Sequence, residues 1–456
     1  MYNNRDSIDF GSAPVGVLFR SMFLPTLVGM VSMVVLNVTD GAFVGRGVGS
    51  DALAAVNIVA PIFLITSGIG LMMGIGSSVA ASIHLSQDNL KAARINMTQA
   101  LAASATIGCL LAALFYSCQE PLCMLFGSSI ELLPLACSYM KWISLLTPFS
   151  MVGIVAMFMV RLDGSPRVAM AINCMAAGLN ILLDYIFIFP MRMGLEGAGI
   201  ATTISFSIVI IPIGIYFLRY AKTLKLYRLK MSLTSARLTF RNIAYHVRIG
   251  ASALLGEVAI AAVIVVGNYV FMQYLGPDGV AAYSVGCYCL PVVFMMGNAI
   301  VQSVQPIASF AYGQGDIIRF ASSARVAYVT AGASGIMSMI IMMLGAGAIS
   351  SMFLDDQCGA YTLCVDGLPY FSLSFLFISF NIVAVGLMQS AERAVAATIY
   401  TLMRGFILSI PCFIFMPMWF DPVGLWLALP IAEAITTLII VLRRDLSCDI
   451  SHVNIS

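Results

Sequence analysis

Asp40 and Asp184 stand in stretches that are otherwise apolar, where a charge is expensive. A charged side chain at the centre of a bilayer costs about 2.5–3.5 kcal/mol on insertion scales, so an acid inside a spanning helix is a functional candidate. Asp184 closes the run Asn173-Cys-Met-Ala-Ala-Gly-Leu-Asn180-Ile-Leu-Leu-Asp184. On a helix, Asn173, Asn180 and Asp184 share one stripe, at i, i+7 and i+11. The next helix returns after Gly194 to Gly199 and brings Thr202 and Thr203 to a similar depth. Two carboxylates, two amides and hydroxyls are expected to converge on one level. Such a set can do either of two things. Close acids in a low dielectric cannot both stay charged, so one holds a proton that can bind and leave near neutral pH. Alternatively, carboxylate, amide and hydroxyl oxygens can coordinate a dehydrated Na+, a hard cation that prefers oxygen. Asp40 taken alone also fits an interfacial acid, being followed by Gly41, Gly45, Arg46 and Gly47.

Three further charges interrupt the apolar segments of the second half. Glu257 falls about two turns into the seventh helix, with no obvious cationic partner, and is a candidate for a cation or a cationic substrate. Arg404, midway along the eleventh helix, is expected to neutralise Glu433, midway along the twelfth, as a buried structural pair. No metal site beyond Na+ is expected. The three histidines, His84, His246 and His452, map to the cytoplasmic side, which argues against a histidine metal site or a buried histidine relay. The eleven cysteines form no CxxC and read as small packing residues.

The elements that must position these groups are twelve long apolar segments. Hydrophobic residues make up 60% of the 456 positions and charged ones only 10%, so the bilayer is the solvent. The first six segments reappear as the second six at one offset. Gly49, Asp51, Ala54 and Ala55 lie 227 residues before Gly276, Asp278, Ala281 and Ala282. Pro190, Gly197 and Ala201 stand in the same relation to Pro417, Gly424 and Ala428. Six is an even number, so both halves enter the membrane from the same side, as a parallel repeat of the kind alternating-access carriers use. The expected fold is all-α and polytopic: an N-terminal six-helix lobe over 1–219, a basic cytoplasmic linker over 220–240, and a C-terminal six-helix lobe over 241–456. The linker interleaves Lys222, Lys225, Arg228, Lys230 and Arg237 with leucines, a pattern suited to the inner membrane surface.

Most basic residues, from Arg5 and Arg20 to Arg443 and Arg444, fall on one side of this topology, and only Arg46, Lys141 and Arg192 on the other. By the positive-inside rule both termini are cytoplasmic and the protein lies in the plasma (inner) membrane. No signal peptide is apparent, because residues 1–13 are polar and the first apolar run is long enough to stay in the membrane. The net charge of +2 reflects this loop bias and implies no nucleic acid partner.

The residues resemble the multidrug and toxic compound extrusion (MATE) family over nearly the whole chain. The resemblance is carried by Thr39-Asp40-Gly41-Ala-Phe-Val-Gly45-Arg-Gly47, Arg161-Leu-Asp163-Gly164-Ser-Pro166, Asn180-Ile-Leu-Leu-Asp184-Tyr, Gly197-Ala-Gly-Ile-Ala-Thr202, Gln305-Pro306 and Gly424-Leu-Trp426, in that order. It implies a V-shaped carrier that exports bulky, cationic, amphipathic compounds in exchange for Na+ or H+, with no cofactor, working as a monomer in membrane lipid. It also implies that Asp40, Asn180 and Asp184 are cation ligands, with Thr202 as an accessory. Glu257 matches the helix 7 acid of the NorM-type branch, but where that branch has a further acid on helix 10 this chain offers only Asn381. The main cation site is therefore expected in the first lobe. Phe158, Met159, Tyr283, Tyr288, Met295 and Met296 are candidates to line an adaptable drug cleft.

The alternative reading is a flippase for a lipid-linked saccharide, which would call for a cationic cleft where only Arg404 is clearly intramembrane. Enzymes fare worse. Gly313-Gln-Gly315-Asp316 spells the pattern of an intramembrane aspartyl protease, but Asp316 and Asp184 fall near opposite membrane faces and cannot form a dyad. No phosphate-binding P-loop occurs, which excludes an intrinsic ATPase.

Overall fold

Left-handed backbone marks where this chain turns, and it recurs at the repeat interval. Gly49 and Gly276 have φ 125° and 68°, Asp88 and Gly315 58° and 71°, Gly194 and Asp421 62° and 49°. Each pair is 227 residues apart, so the repeat read from residue types is also a repeat of turns. In this computed structural model, which describes residues 10–229, 232–354 and 357–443, every regular element is helical. In order these are α1 (Val15–Gly47), α2 (Ser50–Ser86), α3 (Leu90–Ser117), the short α4 (Gln119–Leu125), α5 (Leu133–Leu162), α6 (Pro166–Ile188), α7 (Gly194–Ile208), α8 (Ile210–Ile215), α9 (Leu233–Gln314), α10 (Ile317–Ser351), α11 (Gly359–Ser390), α12 (Ala394–Leu402) and α13 (Ser409–Leu442). Single π-helical turns, Tyr216–Tyr220 and Met403–Ile407, follow α8 and α12.

Ten helical spans among the described residues are long and apolar enough to cross a membrane. The longest, Ser235–Gln314, has 80 residues, about 120 Å at helical rise against a hydrocarbon core of about 30 Å. It therefore cannot be one crossing, and the non-helical backbone at Gly276 is where it turns. The 49-residue span Ala394–Leu442 is broken in the same way at Phe420 and Asp421. Where twelve segments are expected, the described residues thus hold ten long apolar spans, two of them interrupted by one or two non-helical residues.

The chain divides into two compact units, one holding Arg20–Leu254 and the other Pro14–Phe19 with residues from Leu255 onward. This boundary differs from the expected one at 240/241, because the first turns of α9 are bound to the first unit. At their crossing, Gly76 of α2 lies against the backbone of His246, and Gly250 of α9 against the backbone of Met72. Glycines four residues from the facing backbone on each helix form a small-residue contact in which neither position has room for a Cβ. Polar groups fasten the same stretch of α9 to α3. His246, fully buried, bonds through Nε2 to Asn96 Oδ1 at 3.0 Å, and Gln99 joins Thr239 and Asn242 at 2.7 and 2.9 Å. Since Asn96 Nδ2 donates to the Ala92 carbonyl, its Oδ1 is the acceptor and His246 Nε2 the donor. A buried histidine was not expected at this position.

The linker is also more firmly held than its basic pattern suggests. Residues 221–229 form no regular element and bend at Lys222 and Thr223, and 233 onward is already helix. Asp163 accepts the Tyr216 hydroxyl (2.6 Å) and the backbone N–H groups of Lys222, Thr223 and Leu224 (3.0, 2.8 and 2.7 Å). Arg94 Nε donates to the Thr223 carbonyl at 2.8 Å, and Thr98 accepts the Tyr227 N–H at 3.0 Å. Asp163, prominent in the family motif, is thus an anchor for the chain leaving the first six helices. Asp163→Ala would strip several donors of their acceptor at about 1–3 kcal/mol for each buried group. The expected result is faster proteolysis within 222–229 and a lowered unfolding temperature, with ligand affinity unchanged. Arg5, Lys230, Asp355, Asp356, Arg444 and His452, and with them the expected cytoplasmic location of both termini, lie outside the described residues.

Candidate cation site

Helix α1 is laid along α6 by small residues. Gly29 faces Asn173 and Met170, Gly47 faces Ile188 and Phe189, and Phe43 packs its ring on those of Tyr185 and Phe189 at 6.4 and 5.6 Å. Both contacts advance together along the two helices, so α1 and α6 run parallel and Asp40 comes opposite Asp184. Around them is an apolar core that includes Val44, Ala55, Met140, Ile143, Ile188 and Ala198. Such surroundings exclude water and strengthen any electrostatic interaction inside.

Three of the expected ligands meet here with a bare set of acceptors. Asn180 and Asp184 are fully buried, and Asp40 is partly buried. The Asp40 and Asp184 carboxyls lie within side-chain hydrogen-bonding range of each other, although neither carboxylate brings a donor. Asp40 Oδ1, Asn180 Oδ1 and both Asp184 oxygens are buried with no hydrogen-bond partner. Buried acceptors of this kind are rare in native structures, because each forfeits its hydration. Four on three neighbouring side chains fit a bound cation, which would supply the missing positive charge. The donor set suits a hard ion: all oxygen, no sulfur or imidazole.

Thr202 belongs to the cluster in a supporting role. It accepts Asn180 Nδ2 at 3.3 Å while donating to the Ala198 carbonyl at 3.0 Å. Its hydroxyl occupies the amide nitrogen of Asn180, while Asn180 Oδ1 is left without a donor. Two of the expected members are elsewhere. Asn173 lies against Gly29 of α1. It is on the predicted stripe, but eleven residues of helix separate it from Asp184 by about 16 Å of axial rise. Thr203 donates to the carbonyls of Trp142 and Gly199, at 2.9 and 2.8 Å, and closes the α5–α7 contact instead. Tyr139 of α5 was not anticipated. Nearly buried, it is within electrostatic reach of both Asp40 and Asp184. A tyrosine in an apolar helix gave no periodic signal that could distinguish it from packing.

The second unit holds the other candidates. Glu433 Oε1 accepts Arg404 Nε and Nη2 at 3.0 and 2.8 Å, and its Oε2 accepts Asn381 Nδ2 at 2.7 Å. The Arg404 guanidinium also rests on the Phe294 ring, 5.5 Å from its centroid. Glu257 is partly buried and makes no hydrogen bond or ion pair among the described residues; its neighbours Gly256 and Ile260 line a small cavity that Arg404 and Glu433 close. Tyr283, a candidate for the cleft lining, is instead wholly buried, stacked on Phe271 at 4.4 Å with its hydroxyl donated to the Val263 carbonyl. Phe158 and Met159 are likewise buried, Phe158 against Gly74. Tyr288 is exposed and stacks on Phe353 at 5.5 Å.

Comparison with known proteins gives a consistent picture. The model of the MatE family matches residues 25–186 and 252–414, two stretches whose starts are again 227 residues apart. Multidrug export protein MepA of Staphylococcus aureus is 22% identical over 442 residues, covering 96% of both chains. Its namesake from Staphylococcus saprophyticus is 24% identical over 442 residues, covering 94% of both. Among solved structures, an outward-facing multidrug resistance MATE family transporter of the MOP superfamily superposes with a TM-score of 0.88 at 18% identity, covering 98% of this chain and 99% of the other.

Proposed function

The chain belongs to the MatE family, and from that premise we propose that it is a secondary active multidrug efflux transporter, exporting cationic amphipathic compounds in exchange for Na+ or H+ by alternating access. The observation that carries this reading is the group of four buried, partnerless acceptor oxygens on Asp40, Asn180 and Asp184. The names of the MepA relatives support the multidrug part of it.

On this reading Asp40 and Asp184 hold the coupling cation, Asn180 adds its amide oxygen, and Thr202 holds that amide by its nitrogen. Tyr139 borders the pair. Because Asp40 is on α1 and its partners on α6, the cation also fastens two helices. Binding it changes how α1 packs through Gly29 and Gly47, and with it the space open to a drug. The cation and the drug are then linked without touching: whatever factor the cation takes from drug affinity, the drug takes from cation affinity. A cation supplied from outside favours drug release there, and an unoccupied site turned inward favours drug capture. We place the transporter in the plasma membrane as a monomer with both termini cytoplasmic.

Dye efflux from proteoliposomes tests the reading, with a Na+ gradient and a pH gradient imposed separately. Acceleration by one of the two gradients is expected and identifies the ion. Efflux that ignores both, from protein that is folded and inserted, would refute exchange and favour a flippase for a lipid-linked saccharide.

A further inference from the structure

The second unit repeats the chemistry of the cation site in a different place and with a different occupant. Residues 227 positions after Asp40, Asn180, Asp184 and Thr202 are Gly267, Ile407, Pro411 and Leu429, none of which offers a side-chain oxygen. The position related to Asp40 is filled: a Cβ on Gly267 would overlap the ring of Tyr283, which is itself packed among Phe271, Phe371 and Phe413. A carboxylate, an amide and a threonine meet elsewhere in this unit, as Glu433, Asn381 and Thr437. Thr437 donates to Asn381 Oδ1 at 2.9 Å, and Asn381 Nδ2 donates to Glu433 Oε2 at 2.7 Å. The first lobe adds a second carboxylate to such a set. The second lobe adds Arg404.

We infer that Arg404 is a tethered cation in a latent second cation site, so that Glu433 contributes no exchangeable ion to the transport cycle. A guanidinium stays protonated in any accessible pH and cannot leave, so it satisfies Glu433 permanently. Its position is over-determined. It is carried by the π-helical turn Met403–Ile407, stacked on Phe294, and bonded through two nitrogens to one carboxylate oxygen. With this charge removed, Glu433 is a buried carboxylate held by one amide, an arrangement that strongly favours capture of a replacement cation. Space for one is at hand. The adjoining cavity of about 40 Å³ is bordered by Thr401 as well as Arg404 and Glu433, and one water needs only about 10–15 Å³ of the same kind of volume. The other acid near it is Glu257, between the lining residues Gly256 and Ile260.

The test is a count of bound cations on the purified full-length protein, by radioactive Na+ at saturation and by proton uptake after a pH step. Arg404→Gln is expected to bind one more cation per chain than wild type, as Na+ or as H+. That extra cation should persist when Asp184→Asn is added and vanish when Glu433→Gln is added. Thermal stability of Arg404→Gln should rise with that ion more steeply than wild type. A folded Arg404→Gln protein with the wild-type count overturns the inference. The doubly neutral Arg404→Gln/Glu433→Gln protein decides the matter even where the single variant does not fold. It must keep the wild-type count, and a lower count means that Glu433 already holds an exchangeable ion. The inference rests on the exchange reading only for its consequence in transport. If Asp184→Asn leaves the wild-type count unchanged, the first-lobe site fails, while the comparison at Arg404 is unaffected.

Discussion

Asp184→Asn should yield a well-folded protein in which an imposed cation gradient no longer drives efflux, with the coupled initial rate down by about 5- to 150-fold, the range expected when a coupling free energy of 1–3 kcal/mol is removed. The substitution preserves volume and shape. It replaces one partnerless acceptor with an N–H donor, and acceptors stand ready for it, since Asn180 Oδ1 and Asp40 Oδ1 lack donors. Packing therefore gains a hydrogen bond worth about 0.5–1.5 kcal/mol even as the site loses its charge. The signature is a dissociation of two quantities that usually fall together: the unfolding midpoint is unchanged or raised while coupled transport is lost. Efflux assayed on proteoliposomes and thermal unfolding of the same preparation check it. Full gradient-driven efflux by the variant would remove Asp184 from the coupling site. A lowered midpoint would mean that the carboxylate has structural partners inconsistent with its bare oxygens.

The second large effect is predicted at a glycine far from any ligand. Gly250→Val should cost about 3 kcal/mol, at the upper end of the usual range for overpacking, and sharply reduce the yield of folded protein. The obstacle is the Met72 backbone of α2, which cannot rotate away as a flexible side chain would. Gly76→Val should do the same from the other helix, against the backbone of His246. At Gly256, less than two turns further along α9, an added Cβ meets no neighbouring atom within 4 Å, so Gly256→Val should be tolerated. Comparing the three by expression and size-exclusion profile separates loss of the crossing from a general intolerance of valine in α9. Equal tolerance of all three would show that the crossing is not needed to hold the start of α9 on the first unit.

The reach of the sequence is clearest in these two regions. The acids, the amide and the accessory threonine could be found because a charge or amide in a long apolar run has few innocent explanations, and because helical spacing gave Asn180 and Asp184 a common face. Azimuth without depth then misled for Asn173, which shares that face but meets α1 at Gly29 instead of joining the carboxylates. Thr203 was indistinguishable from Thr202 in type and neighbourhood; only the position of the Trp142 carbonyl directs its hydroxyl elsewhere. Tyr139 looked like one more large apolar residue. The repeat was legible down to its turns, since glycine or aspartate stands wherever the backbone becomes left-handed at 49, 88, 194, 276, 315 and 421. What the repeat hid is the break in chemical symmetry. A constant offset implies equivalent halves, yet the place related to Asp40 is occupied by an aromatic ring whose approach depends on the absent side chain of Gly267. The boundary near 254 was invisible for a similar reason. Basic residues report where a loop leaves the membrane, whereas the Gly76–Gly250 crossing that binds α9 to the first unit depends on which glycines face each other.

The central claim is that the cation held by Asp40, Asn180 and Asp184 and the exported drug are linked. The most direct measurement is the dissociation constant of a cationic dye on purified protein, with and without saturating coupling cation, for wild type and Asp184→Asn. The account predicts weaker dye binding in the presence of the cation for wild type, by about 5- to 150-fold, and no dependence in the variant. The same cation dependence in both proteins, or none in either, would contradict it.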